Sequence, residues 1–286
     1  ENAAFDETLP TNYLADEVID DNKVDALLAK KYDETIVIAE DDPEILAYLK
    51  DELSTNFRVI AVNNGYDAVK AVMDNEVSLI LSDVLMPALN GFQLCSNIKS
   101  NIATCHIPIV LLTALSDDNQ RIYGIAEGAD EYIHKPFNMQ YVRLKIIRII
   151  EERRRLADTF AQKFGRLTRH EAANLPCVDD VFRDKLFDLI EAQHSDSNFK
   201  IELMSDMLGM SRILLYRKIT SIFGMSPSDL LRNFRLQKAV QLLTDQRRNV
   251  SEVAYTVGFS SPAYFAKCFK SVYNMTPTEY MYRTRE

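Results

Sequence analysis

The feature that most constrains the fold is the segment 78–87, in which an apolar run leads into Asp83 and stops at Pro87. Short apolar runs bounded by a turn signal are typical of buried parallel strands. In an open α/β sheet, ligands bind just beyond the carboxyl ends of the strands, so an acid at such an end is placed for chemistry. Asp83 is therefore the first candidate functional residue.

Further strand ends carry polar residues of the same kind. Apolar runs at 35–39, 107–112 and 131–134 lead into Glu40-Asp41-Asp42, Thr113-Ala114 and Lys135-Pro136. Segments of helical period lie between and after the runs, at 44–53, 66–73, 91–99, 119–127 and 139–150. Repeated strand and helix units predict a five-stranded, doubly wound parallel sheet with helices on both faces. The candidate polar groups then meet at one edge of that sheet.

The chemistry of these groups is mutually consistent. The carboxylates of Glu40, Asp41 and Asp83 suit a hard divalent cation such as Mg²⁺, which prefers oxygen ligands. One oxygen of Asp83 is then free to act as a nucleophile toward a phosphoryl group. Lys135 supplies a positive charge and Thr113 a hydroxyl that can bond a phosphoryl oxygen. The sequence therefore predicts a phosphoacceptor site.

On these residues, segment 34–150 resembles a response-regulator receiver domain. The resemblance also rests on the Asp-x-x-Met-Pro sequence at 83–87, Asn90-Gly91 and Lys135-Pro136-Phe137. It implies a flavodoxin-like strand order 2-1-3-4-5, phosphate transfer from a histidine kinase to Asp83, and a cis peptide bond before Pro136. It further implies that the Leu85 carbonyl joins the metal site and that apolar Leu85 and Leu115 slow hydrolysis. The implied phosphoryl-binding and switch residues are Thr113, Ala114, Lys135 and Tyr132.

Two alternatives to a phosphorylated receiver stay open. One is a structural receiver that is never phosphorylated, joined to a phosphate-independent DNA-binding region. The other is an Asp-nucleophile phosphatase, but such enzymes carry Asp-x-Asp and position 85 is Leu. The resemblance predicts no enzyme beyond self-phosphorylation and self-dephosphorylation. Asp42 is interpreted as a helix cap, and His106 and His134 as packed or solvated side chains.

The charge is distributed unevenly along the chain, whose net charge is −9. Residues 1–150 carry 12 basic and 25 acidic side chains, 151–180 carry 6 of each, and 181–286 carry 15 and 11. Contact with nucleic acid is therefore expected in the C-terminal third. No apolar run reaches membrane-spanning length, no signal-peptide pattern is present, and the four cysteines lack close pairing. We therefore expect a cytoplasmic, reducing location, with a membrane anchor only in a larger parent protein.

Two segments are interpreted as connections between domains. Residues 1–33 are acidic and weakly periodic, and we interpret them as a linker from an upstream region of a hybrid two-component protein, in which the histidine kinase shares the polypeptide. The alternative is an ordinary regulator with a disordered arm. Residues 151–180 are interpreted as a partly flexible inter-domain linker, in which the first few residues prolong the last receiver helix.

The C-terminal region, 181–286, is helical throughout and contains an internal repeat. A helix, a turn at Gly209 and a second helix capped by Ser211 form one helix-turn-helix, and the pattern recurs around Gly258. A single helix at 227–243 is predicted between the units. At about 25 Å long, it can hold two recognition helices about one DNA turn, ~34 Å, apart. The region is therefore predicted to be an all-α double helix-turn-helix domain.

This region resembles an AraC-type DNA-binding domain. The resemblance rests on the sequence at 253–261 and on Tyr264-Phe265, Phe269-Lys270 and Thr276-Pro277. The candidate DNA-binding residues are Arg212, Ile213, Tyr216, Arg217 and Lys218 in the first unit and Ser260, Pro262, Ala263, Lys267 and Lys270 in the second. Arg217 is expected to pair with a guanine edge and Lys218 to contact phosphate. Phe259, Tyr264, Phe265 and Phe269 are expected in the core, together with Leu214, Leu215 and Ile219.

Together these observations predict a phosphorylation-dependent transcription regulator of a two-component system. Its expected cofactor is Mg²⁺. Its expected partners are a histidine kinase, double-stranded DNA, a second copy of the chain on activation, and RNA polymerase.

Overall fold

The computed structural model describes residues 21–114, 128–164, 179–244 and 248–283, with side chains from residue 24 onward. The expected helix at 119–127 and Leu115 lie outside the described residues. Five parallel strands form one sheet in the order β2-β1-β3-β4-β5, which confirms the predicted topology. They are β1 (Thr35–Ala39), β2 (Arg58–Val62), β3 (Leu79–Asp83), β4 (Ile109–Thr113) and β5 (Glu131–His134).

Both faces of the sheet are covered, because alternate side chains of each strand point to opposite sides. In β1, Ile36 and Ile38 belong to one apolar cluster and Val37 and Ala39 to the other. The covering helices are α1 (Asp21–Ala29), α2 (Pro43–Ser54), α3 (Gly65–Asp74), α4 (Gly91–Ser100) and α5 (Met139–Phe164). We call this the α/β domain.

Helix α1 lies within the segment interpreted as a linker, 1–33. Its Leu27 and Leu28 pack against the apolar cluster shared with α5. The Leu28 carbonyl accepts hydrogen bonds from Asn56 Nδ2 and from Arg143, each at 2.9 Å. The C-terminal part of this segment is therefore an integral part of the α/β domain, and the linker interpretation is wrong there.

Helix α5 is a single helix of 26 residues. Its first half packs on the sheet through Val142, Ile146 and Ile150. Its second half buries Phe160 and Phe164 in the core of the C-terminal region. The expectation of a partly flexible tether over 151–180 is therefore wrong for 151–164, while 165–178 lie outside the described residues.

The C-terminal region is all helical, as predicted, and we call it the helical domain. Its described helices are α6 (Asp180–Gln193), α7 (Ile201–Met207), α8 (Arg212–Phe223), α9 (Pro227–Leu243), α10 (Val250–Thr256), α11 (Pro262–Tyr273) and α12 (Pro277–Arg283). Helices α7 and α8 form the first helix-turn-helix and α10 and α11 the second. Gly209 and Gly258 occupy the two turns with φ of 66° and 89°, a left-handed conformation that favours glycine.

The two helix-turn-helix units have separate apolar cores joined by α9. Leu230, Leu231 and Phe234 of α9 pack into the first core, and Leu236, Ala239 and Leu243 into the second. Within the part of the chain that the structure covers, no helix has both the length and the hydropathy to cross a membrane.

Candidate phosphoacceptor site and nucleic-acid interface

The candidate phosphoacceptor site lies at the carboxyl edge of the sheet. Strand pairing places Ala39 beside Ser82, so Glu40 and Asp83 follow at the same level. Lys135 Nζ donates to Asp83 Oδ2 and to Glu40 Oε2, each at 2.9 Å. One ammonium group thus bridges two carboxylates that reach the edge from different strands. The structure brings together the residues that the sequence predicted would meet.

Burial and charge set the electrostatics of this site. Glu40 is only 1% exposed. Its burial, together with the nearby charge of Asp83, raises the pKa of its carboxyl despite the hydrogen bond from Lys135. Burial opposes the charge on Lys135, but the hydrogen bonds to Asp83 and Glu40 outweigh it and raise the pKa of the ammonium. The site therefore holds more negative charge than one lysine neutralises, and a further cation is favoured there.

The loop after β3 fixes the position of Asp83. Its Oδ1 accepts a hydrogen bond of 2.7 Å from the Val84 amide. Gly91, the first residue of α4, donates its amide to the Val84 carbonyl at 3.0 Å. A Cβ on Gly91 would collide with the Asp83 carbonyl, so a residue without a side chain is needed there. Asn90 caps α4 and forms a capping box with Gln93.

The remaining predicted residues of the site surround this group. Asp41 lies in the acidic cluster with Glu40 and Asp83, with one carboxylate oxygen of each within 4.8 Å of the others. Thr113 is buried at the end of β4, Ala114 is exposed, and Tyr132 is half-buried and packs against the cluster beneath α4. Leu85 is exposed.

Several smaller expectations can be compared directly with the structure. The peptide bond between Lys135 and Pro136 is cis, as predicted. Asp42 caps α2 by accepting from the amides of Glu44 and Ile45. His106 is buried and His134 exposed, which agrees with their interpretation as packed and solvated residues.

The first recognition helix, α8, presents only part of its predicted DNA-binding set to solvent. Arg212, Ile213 and Tyr216 are exposed. Arg217 instead donates to backbone carbonyls of the α/β domain, and Lys218 is 0% exposed. The expectation that Lys218 lies on the surface near DNA phosphate is wrong in this conformation. Periodicity could not reveal this, because the burying contacts come from another domain.

The second recognition helix, α11, presents its candidates more openly. Ser260, Ala263, Lys267 and Lys270 are exposed, and Pro262 is half-buried at the start of the helix. The aromatic residues Phe259, Phe265 and Phe269 are buried, as expected. Tyr264 is 52% exposed, so its assignment to the core is wrong. It lies at the third position of α11, one residue before the buried Phe265.

The core residues of α8 follow the prediction more closely. Leu215 and Ile219 are fully buried, and Leu214 is partly buried against the same cluster. Ser211 caps the helix by accepting from the Leu214 amide. The sequence did not single out Asp179 or Cys105, which turn out to contact Lys218. Asp179 has a local signal as the N-cap of α6, but nothing in the sequence indicates its pairing with α8.

Two family models match this chain in separate segments. The response regulator receiver domain matches residues 36–147. The helix-turn-helix domain matches residues 204–283, in agreement with the AraC-type interpretation. The chain belongs to the response regulators. A receiver and a helix-turn-helix domain on one chain are the architecture of a DNA-binding two-component regulator rather than of a catalytic enzyme.

Individual relatives of this response regulator cover it to different extents. "Histidine kinase P4" of Formosa agariphila is 38% identical over 98% of this chain, which spans 20% of that relative. The transcriptional regulatory protein GltR of Pseudomonas aeruginosa is 38% identical over 39% of this chain and 47% of its own length. The solved receiver domain of a histidine kinase from Syntrophus aciditrophicus is 34% identical over 42% of this chain and 91% of that one, with a TM-score of 0.40.

The acidic group of this receiver fits a magnesium ion. Glu40, Asp41 and Asp83 offer carboxylate oxygens, the donor type that Mg²⁺ prefers, and Asp41 is exposed to water that can complete an octahedral shell. The raised pKa of Glu40 indicates a site short of positive charge. Leu85 is adjacent in the loop, and its carbonyl remains a predicted further ligand.

We expect Glu40→Gln to weaken Mg²⁺ binding by about tenfold or more, because affinity in such sites depends on the number of charged oxygen ligands. Isothermal titration calorimetry with Mg²⁺ measures this directly. Glu44→Gln, the same change at an exposed residue in the first turn of α2, is the matched control and should leave the affinity unchanged. Equal affinities for the Glu40 variant and the wild type would remove Glu40 from the metal site.

Proposed function

We propose that this response regulator is a phosphorylation-dependent transcription regulator, in which Asp83 accepts a phosphoryl group from a histidine kinase and the helical domain binds DNA. The observation that carries the proposal is the bridge from Lys135 Nζ to Asp83 Oδ2 and Glu40 Oε2. It holds an acidic nucleophile and its neutralising cation at the edge of a sheet where ligands enter.

The proposed reaction is a single phosphoryl transfer. A carboxylate oxygen of Asp83 attacks the phosphorus of a phosphohistidine, the phosphorus–nitrogen bond of the donor breaks, and the imidazole leaves with the electron pair. Lys135 balances the charge that develops on the phosphoryl oxygens, and the hydroxyl of Thr113 donates a hydrogen bond to one of them. Mg²⁺ held by Glu40, Asp41, Asp83 and the Leu85 carbonyl would supply further charge neutralisation.

The proposed output is binding of double-stranded DNA by two recognition helices. Arg212, Ile213 and Tyr216 on α8 and Ser260, Ala263, Lys267 and Lys270 on α11 are exposed and supply base-edge, apolar and phosphate contacts. The basic balance of residues 181–286 supports this assignment. Dimerisation on activation and contact with RNA polymerase belong to the same proposal.

The phosphodonor is proposed to lie in the same polypeptide. The relative from Formosa agariphila that aligns with 98% of this chain is a histidine kinase, and this chain spans 20% of its length. A kinase joined to its acceptor works at a high effective concentration, which favours transfer within the molecule.

The proposal is tested by selecting bound duplexes from a random DNA library with and without beryllofluoride and Mg²⁺, which mimic the phosphorylated state. We expect the mimic to enrich one extended, non-palindromic motif. Sequence-specific enrichment that is identical in both conditions would favour the phosphate-independent DNA-binding alternative. Absence of any specific enrichment would overturn the assignment to transcription.

A further inference from the structure

We propose that the resting receiver masks the first recognition helix and leaves the second one open, so that phosphorylation controls only one of the two helix-turn-helix units. This inference rests on the proposed function and specifies how the site is regulated. It follows from contacts of α8 that α11 does not share within the described residues.

The first of these contacts is made by Arg217. Its guanidinium donates to the carbonyls of Met73 at 3.1 Å, Asp74 at 3.0 Å and Asn75 at 3.0 Å. These carbonyls lie at the C-terminal end of α3, where backbone acceptors lack intrahelical partners and the helix dipole is negative. Reading a guanine edge requires the same guanidinium donors. Arg217 therefore cannot contact a base while it is docked on α3.

The second contact is made by the next residue, Lys218. Its ammonium donates to Asp179 Oδ2 at 2.6 Å, to Cys105 Sγ at 3.2 Å and to the Ile102 carbonyl. It also lies 4.4 Å from the centre of the Phe182 ring. A fully buried ammonium is stable only with a close counterion and filled hydrogen bonds. The receiver supplies two of these partners and the start of α6 supplies the counterion.

Apolar packing reinforces the polar contacts. Ala103, in the receiver loop after α4, is buried in the same cluster as Leu215 and Ile219 of α8, and Ile102 packs against that cluster. The receiver loop thus forms part of the core of the first helix-turn-helix unit. A DNA duplex approaching the face of α8 that carries Arg217 would meet the receiver.

The second unit is not held in this way. Among the described residues, no hydrogen bond or ion pair joins α11 to the receiver, and Ala263, Lys267 and Lys270 are exposed. The resting chain is therefore expected to contact DNA through α11 alone. A protein whose competent state is a small fraction of the population binds with an affinity reduced by that fraction.

Helix α4 connects the masked surface to the phosphoacceptor site. It begins at Gly91 against the Asp83 backbone and ends at Ser100, next to the loop that carries Ile102 and Cys105. A phosphoryl group on Asp83 that favours another position of α4 would move this loop and weaken the docking of Lys218. Either event would free Arg217 and Lys218 for DNA.

The substitution Asp179→Asn tests the masking without touching a DNA-reading residue. Asp179 Oδ1 caps α6 by accepting from the Phe182 amide at 2.9 Å, and asparagine caps helices equally well. The change removes only the negative charge that faces Lys218. Asp180→Asn is the matched control, because Asp180 is the adjacent residue and pairs with Arg183 within the same helix.

Affinity is measured on a duplex with both half-sites and on one with only the second half-site. Without beryllofluoride, Asp179→Asn should bind the complete site about tenfold tighter than the wild type. Beryllofluoride should add little to the variant but much to the wild type and to Asp180→Asn. The half-site duplex should bind all three proteins equally.

A DNA-free measurement checks that the variant undocks rather than unfolds. The Cys105 thiol is covered by Lys218 and Asp179, and its labelling by a thiol reagent should be faster in Asp179→Asn while the far-ultraviolet circular dichroism is unchanged. If the variant binds and labels like the wild type while both respond to beryllofluoride, masking is overturned and the proposed function stands. If no protein binds DNA specifically in any condition, the proposed function fails and the masking proposal with it.

Discussion

An Asp83→Asn variant should acquire no phosphoryl label from acetyl phosphate and Mg²⁺. The amide that replaces the carboxylate is not a nucleophile, and Lys135 loses one of its two carboxylate partners. Labelling is measured with radioactive donor, and release of the label by hydroxylamine identifies an acyl phosphate. The variant should also bind DNA with the same affinity before and after exposure to the donor.

The control for this prediction is Asp42→Asn, the same chemical change at the same edge of the sheet. Asp42 caps α2 through its side chain, and asparagine preserves that cap. Its labelling should match the wild type. Full labelling of Asp83→Asn would place the nucleophile on another residue, with Asp41 as the nearest exposed carboxylate.

Phe160→Ala should lower the free energy of unfolding of the helical domain by about 3–5 kcal/mol, the usual cost of deleting a buried aromatic side chain. The Phe160 ring lies 5.0 Å from the ring of Phe164 and 4.8 Å from that of Phe223, measured between centroids, and it is 2% exposed. Urea unfolding followed by circular dichroism measures the loss, since the chain contains no tryptophan.

The control for the second prediction is Tyr141→Ala, which removes an aromatic side chain that is 48% exposed on the same helix. Its effect should stay within about 0.5 kcal/mol. By the same argument, a fragment of residues 181–286 should be less stable than one of residues 151–286, because only the longer fragment retains Phe160 and Phe164. Equal stabilities would show that α5 contributes nothing to the helical domain.

Local sequence patterns predicted most of the fold. Strands β1 and β5 and helices α8 and α9 have the predicted bounds, because apolar periodicity and capping residues such as Ser211 and Ser226 are local signals. Strand β2 was not identified by an apolar run of its own. It is an edge strand that begins at an exposed Arg58 and buries none of its residues fully, so its signal is weak.

The site was predicted to a different extent in the two domains. In the receiver, Asp83, Glu40 and Lys135 meet because parallel strands end at one edge, a consequence of topology that strand ends in the sequence already reveal. In the helical domain, Arg217 and Lys218 are engaged by another domain, and no local pattern encodes such a contact. The same holds for α5, whose second half shows helical periodicity but not which core it enters.

The continuous helix α5 also determines how such proteins can be recombined. A helix of 26 residues is about 39 Å long, and each of its halves completes a different hydrophobic core. A genetic crossover placed between the domains would pair half of this helix with a core to which it does not fit. New combinations of input and output modules are therefore expected to inherit the whole helix together with the helical domain, or to re-match its second half residue by residue.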